Sequence, residues 1–436
     1  MSARTLLMRI GSSPVAVLLA WFATRALLVG ATTGLVPYPD GPLVINDVKL
    51  YAEWSDLLVT GRFPTGDDMW QYPPAAGLAF ALAALLGPNP VAAFVGIVLA
   101  ADLAITVVLL VAGRRARGVT AFAAARPQGV GGNDAAWAWV VGGLLVGPVL
   151  VARFDVLPTL FAVIGLVLAT GVAASLAASR RTHWASAAAG AAFSIGALLK
   201  AWPALLLVSV PRRALPAAIA GFIVAAAVVL LGVSLWADGA VSFLGEQGAR
   251  GLQIESVGAW PFMVANAFAF DVPTEFRYGA MEVDLPITIP LGLAITLAGF
   301  AVLGVFAVLR LLGRLEGVAP ADVALATVLV SVVTSRVLSP QYSVWVVGVA
   351  AVTFLDPRSR TRLAVWLLVP SVLVTQAIYP FGYGSFTNGA WWAVLLQSVR
   401  VVLLLAATVL AVLAVIRAPD PAKAARPRSA AAASDG

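Results

Sequence analysis

The sequence contains no cysteine and only one histidine, His183. The lack of cysteine excludes a disulfide framework and any thiolate metal site. A single histidine almost excludes a histidine-based metal centre, and His183 follows two arginines in SRRTHW, which is typical of a loop. We therefore predict that no metal ion and no cofactor are held by side chains of these two types.

Charge is scarce as well. Only 11% of the residues are charged, against about 25% in soluble domains, while 61% are hydrophobic and apolar runs of 18 or more residues recur. This pattern predicts an all-α polytopic membrane protein with one membrane domain over residues 1–416. The Ala-, Pro- and Arg-rich tail at 417–436 is predicted to be disordered. The net charge of +7 is attributed to basic cytoplasmic loops and not to nucleic-acid binding.

The apolar runs predict about twelve transmembrane helices with both termini in the cytoplasm, because Arg4 and Arg9 precede the first run. The predicted helices are 13–35, 91–112, 136–151, 155–176, 184–199, 202–210, 214–235, 287–311, 320–337, 341–355, 363–379 and 391–416. A further apolar piece, 73–86, would be about 21 Å long as a helix and is predicted to be interfacial or re-entrant. The predicted topology places loops 36–90 and 236–286 outside the cell.

A polar stretch in the first external loop predicts an amphipathic juxtamembrane helix at 47–61. One face carries large apolar residues: Leu50, Tyr51, Trp54, Leu57 and Leu58. Asp47 shares that face, whereas Glu53 and Asp56 point to water. A carboxylate at the membrane–protein boundary is partly desolvated and can act as a general base. The alternative is that Asp47 only caps the helix.

Three cations lie at the predicted external boundary: Arg153 in ARFDVLP, Lys200 in LLKAWP and Arg336 in TSRVLSPQY. Charges at a membrane are costly unless they are paired or used, so together they suggest a lipid-phosphate site. Two alternatives stay open. Arg153 can pair with its neighbour Asp155, and Lys200 can extend its ammonium group to the headgroup region.

Further polar residues on the predicted external face are candidates for substrate contacts. They are Tyr51, Tyr72, Asp155, Arg250, Gln253, Glu255, Gln341 and Tyr342. Asp67 and Asp68 are interpreted as a solvated turn in preference to a metal or sugar site. Arg25 and Asp102 lie within apolar helices, where a charge is functional by default unless a partner neutralises it.

In their order and spacing, several motifs resemble glycosyltransferase family 87 of the GT-C superfamily. The motifs are NDVKLYAEWSDLLVTGRFP followed by YPP, then RFDVLP, GALLKAWPALLL, RGLQIES and SRVLSPQYSVW, spread over residues 15–415. That bacterial group contains the mycobacterial mannosyltransferases of phosphatidylinositol mannoside synthesis and an arabinofuranosyltransferase. Its members commonly place a histidine or additional polar residues near the site, whereas this chain has no external histidine.

The resemblance implies a GT-C-like fold and an enzyme of the plasma membrane whose active site lies on the external face. It implies a polyprenyl-phosphate sugar as donor, with mannose expected, and a glycolipid or glycan as acceptor. The family's proposed base is an aspartate in the first external loop, which Asp47 matches. Lys200, Arg153 or Arg336 would then stabilise the departing phosphate, so a divalent metal is optional and no cofactor is implied. One direct displacement would invert the anomeric carbon.

Two other functions compete with an external glycosyltransferase. A lipid-linked sugar flippase or transporter predicts functional charges near the middle of the membrane and repeated halves, and no convincing internal repeat is found. A non-catalytic membrane scaffold leaves the external polar motifs unexplained. Transfer of arabinofuranose is the alternative activity within the same family.

Overall fold

The computed structural model describes residues 11–67, 69–120, 132–174, 179–239, 251–268 and 270–417. It is mostly helical, which confirms the predicted class. The α-helices are α1 (Pro14–Thr33), α2 (Gly41–Val44), α3 (Asn46–Leu58), α4 (Pro74–Leu85), α5 (Pro90–Thr120), α6 (Asp134–Val146), α7 (Val156–Ala174), α8 (Arg180–Leu199), α9 (Leu215–Trp236), α10 (Trp260–Ala267), α11 (Thr288–Leu311), α12 (Pro320–Val333), α13 (Tyr342–Thr353), α14 (Arg362–Gln376), α15 (Tyr383–Thr387) and α16 (Trp391–Ile416).

Six helices in the described ranges are long and apolar enough to cross a membrane. They are Pro14–Thr33, Pro90–Ala116, Arg212–Trp236, Thr288–Leu311, Arg362–Phe381 and Trp391–Ile416. The predicted count of twelve spans is not confirmed. Several of the other predicted spans are apolar helices of only 10–17 residues, and Trp202–Ser209 is a 3₁₀ helix of eight residues, about 16 Å long.

Helix α3 confirms the predicted amphipathic helix beside the first span. Tyr51, Trp54 and Leu58 are buried on one face, while Glu53 and Asp56 are exposed on the other. Helix α4 follows, beginning directly after Pro73, because proline supplies the backbone angle of a helix start. With 12 residues it is about 18 Å long and falls short of the hydrocarbon core of about 30 Å.

Part of the predicted external loop 236–286 is ordered as a small antiparallel sheet that the sequence did not predict. It comprises β1 (Leu252–Gln253), β2 (Thr274–Arg277) and β3 (Ala280–Val283), in the order β1–β3–β2. Leu252 pairs with Val283, and Thr274 pairs with the same residue from the other side. Strands of two to four residues carry too little alternation for a pattern to identify them.

A fully buried ion pair joins three helices near the middle of two spans. Arg25 of α1 donates from Nε and Nη2 to the two carboxylate oxygens of Asp102 in α5, at 2.7 and 3.0 Å. Trp21 and Trp139 each donate an indole N–H to the same carboxylate at 2.7 Å. Arg25 also donates to the carbonyl of Val140 in α6. This cluster, the Asp102 clamp, holds α1, α5 and α6 together.

Helices α6, α13 and α14 each have one end close to Arg153 or Lys200. Helix α6 leads through the 3₁₀ helix Gly147–Leu150 to Arg153, and α14 leads to Tyr379, which contacts Arg153. Helix α13 begins at Tyr342, beside Lys200. These ends meet at one end of the bundle, here called the Asp47 end. The opposite end of the same three helices, at Asp134, Thr353 and Arg362, is called the far end.

Candidate active site

Asp47 meets a buried arginine at the Asp47 end. It lies in the first turn of α3, and its carboxylate Oδ2 is 2.9 Å from Nε of Arg153. The Asp47 side chain is 43% exposed, whereas that of Arg153 is 6% exposed. One carboxylate face is therefore held by a cation from inside the protein while the other remains open to a substrate hydroxyl.

Arg153 is fixed by contacts from three segments. Nη1 donates to the carbonyls of Val44 and Ala152 at 2.8 and 2.9 Å, and Nη2 donates to the hydroxyl of Tyr379 at 3.1 Å. Burial on its own would lower the pKa of Arg153, but the charge of Asp47 and the neighbouring tyrosine hydroxyls outweigh it and raise that pKa. Arg153 is thus a permanent cation with little freedom to follow a mobile phosphate.

The capping alternative for Asp47 finds no support in the geometry. The residue before the helix is Ile45, which provides no side-chain cap. Asn46 accepts a hydrogen bond from Lys49 one turn along. The contact recorded for Asp47 is the ion pair with Arg153, which joins the start of α3 to the turn before α7.

Asp155 forms a second ion pair two residues from the first. Its Oδ1 accepts from Nζ of Lys200 and from the indole N–H of Trp345, both at 2.7 Å. Asp155 is fully buried, and the Lys200 side chain is 18% exposed. The alternative that Arg153 pairs with Asp155 is therefore wrong: the turn between them sends each side chain to a different partner.

Aromatic rings surround the Lys200 ammonium group. Its Nζ lies 5.0 Å from the ring centres of Phe154 and Trp345 and 5.5 Å from that of Tyr342. Trp345 stacks on Trp202, with 5.3 Å between ring centres. Such rings stabilise a cation over their faces and keep Lys200 extended at the edge of the bundle.

Beside the aromatic rings around Lys200, two buried polar atoms lack hydrogen-bond partners among the described residues. They are Oδ2 of Asp155 and the indole nitrogen of Trp202. Buried polar atoms are nearly always satisfied, by protein or by water. A substrate atom or an ordered water can therefore complete this part of the site.

Tyr51 and Tyr72 join the Asp47 region to an aromatic cluster. Their hydroxyl oxygens are 3.5 Å apart, and Tyr51 stacks on Phe80 with 4.5 Å between ring centres. Burial, and then nearby charges including Asp47, raises the pKa of both phenols. Both hydroxyls stay protonated at neutral pH.

Gln253 and Glu255 belong to a separate buried network. Glu255 accepts from Nη1 of Arg400 at 2.8 Å and from Nε2 of Gln253 at 2.7 Å. Gln253 in turn accepts from the backbone of Leu338 at 2.7 Å, and Gln397 donates to the carbonyl of Glu255. Burial raises the pKa of Glu255, an effect that Arg400 opposes. These amide and carboxylate groups hold the sheet against α16 and are 1–2% exposed.

The remaining predicted residues lie around these two networks. The backbone carbonyl of Arg336 accepts from the amide of Gln253, and its aliphatic stem lies beside Gly292 of α11. The backbone of Arg336 thus lies beside the Glu255 network, while Arg153 and Lys200 meet around the turn at 153–155. Gln341 immediately precedes α13 and is half-buried. Arg250 lies outside the described residues.

Asp67 has a structural role. It accepts from the indole of Trp54 at 2.8 Å and from the amide of Met69 at 2.9 Å. It thereby closes the turn that was predicted, while Asp68 lies outside the described residues.

Three contributing residues were missed from the sequence: Arg400, Trp345 and Tyr379. Arg400 carried a usable signal, because it is a charge within a 26-residue apolar helix and Gln397 precedes it by one turn. Trp345 and Tyr379 carried none, since tryptophan and tyrosine are common at membrane boundaries.

No family model, no curated protein and no solved structure matches this chain. The resemblance carried by the motifs therefore stays a prediction, and function is inferred from the geometry of the site.

Proposed function

We propose that this chain is an integral membrane glycosyltransferase of the GT-C type. It would transfer a sugar, with mannose expected, from a polyprenyl-phosphate donor to a glycolipid or glycan acceptor. The external face of the plasma membrane is the expected place of reaction. The observation that carries the proposal is the meeting of two ion pairs, Asp47–Arg153 and Asp155–Lys200, around one turn at the end of the bundle.

Asp47 is the general base in this mechanism. Its half-exposed carboxylate takes the proton from an acceptor hydroxyl. The oxygen then attacks the anomeric carbon of the donor as the bond from that carbon to the phosphate oxygen breaks. The electron pair of the broken bond leaves with polyprenyl phosphate, and one displacement inverts the anomeric centre. The proton ends on Asp47 and passes to solvent.

The two cations take different parts. Arg153 is buried and bound on three sides, so it orients Asp47 and does not reach the donor. Lys200 is partly exposed and held by aromatic rings, so it is the cation that can meet the leaving phosphate. In this mechanism we therefore assign the leaving phosphate to Lys200.

The flippase alternative needs functional charge near the middle of the membrane. Among the described residues, charge within the spans lies in buried pairs such as Arg25–Asp102 and Arg400–Glu255. The Asp102 carboxylate already accepts four hydrogen bonds, and all four of these residues are 0–2% exposed. A saturated, closed pair is suited to holding helices together. This contrast favours a reaction at the bundle end over passage through its middle.

The proposal is tested with purified full-length protein in nanodiscs, radiolabelled polyprenyl-phosphate mannose and a panel of membrane glycolipids. We expect label in an acceptor product together with one equivalent of released polyprenyl phosphate. Polyprenyl-phosphate arabinofuranose is assayed in parallel, and exclusive use of that donor would assign the alternative sugar. Donor that crosses the bilayer of proteoliposomes unchanged, with no transfer in either assay, would contradict an enzyme and support a flippase.

A further inference from the structure

An apolar groove lies on the side of the bundle between α6, α13 and α14. Its volume is about 340 Å³, and its walls are almost entirely aliphatic and aromatic side chains. Trp137, Phe354 and Trp366 lie towards the far end, whereas Leu145 and Val372 lie deeper along the helices. The groove is thus an apolar slot along these helices, and its end at Trp137, Phe354 and Trp366, here called the mouth, is remote from Asp47.

A cation heads the wall that α14 contributes. Val365, Trp366 and Val369 line the groove, and they follow Arg362 by three, four and seven residues, so all four share one helix face. The guanidinium carbon of Arg362 lies 4.9 Å from the ring centre of Phe354, which also lines the groove. Arg362 therefore sits at the mouth.

The loop before α14 adds more positive charge at this mouth. Arg358 is bound by Asp356, and Asp322 fixes the loop by accepting from Ser359, Thr361 and the amide of Arg360. Among the described residues, no carboxylate forms an ion pair with the side chain of Arg360 or Arg362. Asp134 is the acidic residue of the groove, and it already interacts within the protein.

We propose that this groove binds one anionic glycerophospholipid, with an acyl chain in the slot and the phosphate at Arg362 and Arg360. The apolar walls match hydrocarbon, the tryptophans match the interfacial region, and the arginines match a phosphate. The proposed phosphate position is separate from the proposed reaction, because Arg362 lies at the opposite end of α14 from the Asp47 end. It would fasten three helices that all lead to the Asp47 end.

Native mass spectrometry of the full-length protein tests the site. The delipidated protein is titrated with phosphatidylglycerol and with phosphatidylcholine of the same acyl chains. We expect one molecule of phosphatidylglycerol to bind at least about fivefold more tightly, from roughly 1 kcal/mol per basic residue near the headgroup. Arg362→Gln should remove about fivefold of that preference. Arg181→Gln is the matched control, since it removes an exposed charge in the first turn of α8, outside the groove.

A second variant, Ala138→Phe, fills the groove and should weaken both lipids without changing their ratio. Equal binding of the two lipids by the wild type would overturn the proposal. So would equal losses in Arg362→Gln and Arg181→Gln, because they would mean that general surface charge and not this groove holds the lipid. Unchanged binding in Ala138→Phe, with its melting temperature intact, would place the lipid elsewhere.

Discussion

The Asp102 clamp and the Asp47 site are both built from arginine or lysine paired with aspartate, but the two sites differ in how completely the charges are satisfied. In the clamp, Arg25 and Asp102 are buried from solvent, and each carboxylate oxygen of Asp102 accepts two hydrogen bonds. At the bundle end, Asp47 is 43% exposed and the buried carboxylate Asp155 leaves one oxygen without a partner. A charge pair that is complete can stabilise the fold, whereas one that is incomplete can receive a substrate.

The largest effect on stability is expected at the Asp102 clamp. In Asp102→Ala, Arg25 is left as a buried charge without its counter-ion, and we expect the free energy of unfolding to fall by about 3–5 kcal/mol. Denaturant titration in micelles measures it. The double variant Arg25→Met/Asp102→Leu should recover more than half of the loss, because it removes both charges. If Asp102→Ala unfolds like the wild type, the clamp does not hold the helices.

Loss of the partly exposed cation should lower stability, because buried Asp155 loses its counter-ion, and should also affect the reaction. Lys200→Gln can still donate to Asp155 but carries no charge for the leaving phosphate, and kcat should fall about 10²–10³-fold. Lys200→Arg should recover part of the rate. Steady-state kinetics decides, and an unchanged kcat in Lys200→Gln would remove this residue from the phosphate site.

Loss of the buried cation should have a smaller effect. Arg153→Gln keeps hydrogen-bond donors for Val44 and Tyr379 but releases Asp47, so kcat should fall by about 10–100-fold through lost orientation. Steady-state kinetics measures this effect, and an unchanged kcat in Arg153→Gln would show that Arg153 does not act through Asp47.

The smallest effect is expected at Tyr72. Tyr72→Phe removes one hydroxyl that lies 3.5 Å from the hydroxyl of Tyr51, and stability should fall by about 0.5–1.5 kcal/mol. Because burial raises the pKa of Tyr72, its phenol should stay neutral up to about pH 10. The alkaline limbs of the wild type and Tyr72→Phe should coincide below that pH, and a limb that appears only in the wild type would contradict the raised pKa.

Sequence patterns predicted the local structure well. Helix positions follow from apolar runs, and the helical period correctly separated buried Tyr51 and Trp54 from exposed Glu53 and Asp56. The number of membrane spans was harder to predict from the sequence. A helix such as α13, with 12 residues, can be apolar and buried in protein without being long enough to cross a membrane.

The sequence could not predict ion-pair partners that lie far apart along the chain. The neighbours Arg153 and Asp155 look like a pair, yet their partners Asp47 and Lys200 lie 106 and 45 residues away. Glu255 and Gln253 have the polarity of sugar ligands, but a buried arginine 145 residues away engages Glu255. Local patterns report which face a residue occupies, whereas the packing of helices decides what lies opposite.

The turnover of Asp47→Asn is the most direct measure of whether Asp47 is the base. Asp56→Asn is the control, since it makes the same change on the water-facing side of the same helix. With melting temperatures matched to the wild type, kcat should fall about 10²–10⁴-fold in Asp47→Asn and stay unchanged in Asp56→Asn. Wild-type turnover in Asp47→Asn would show that Asp47 is not the base.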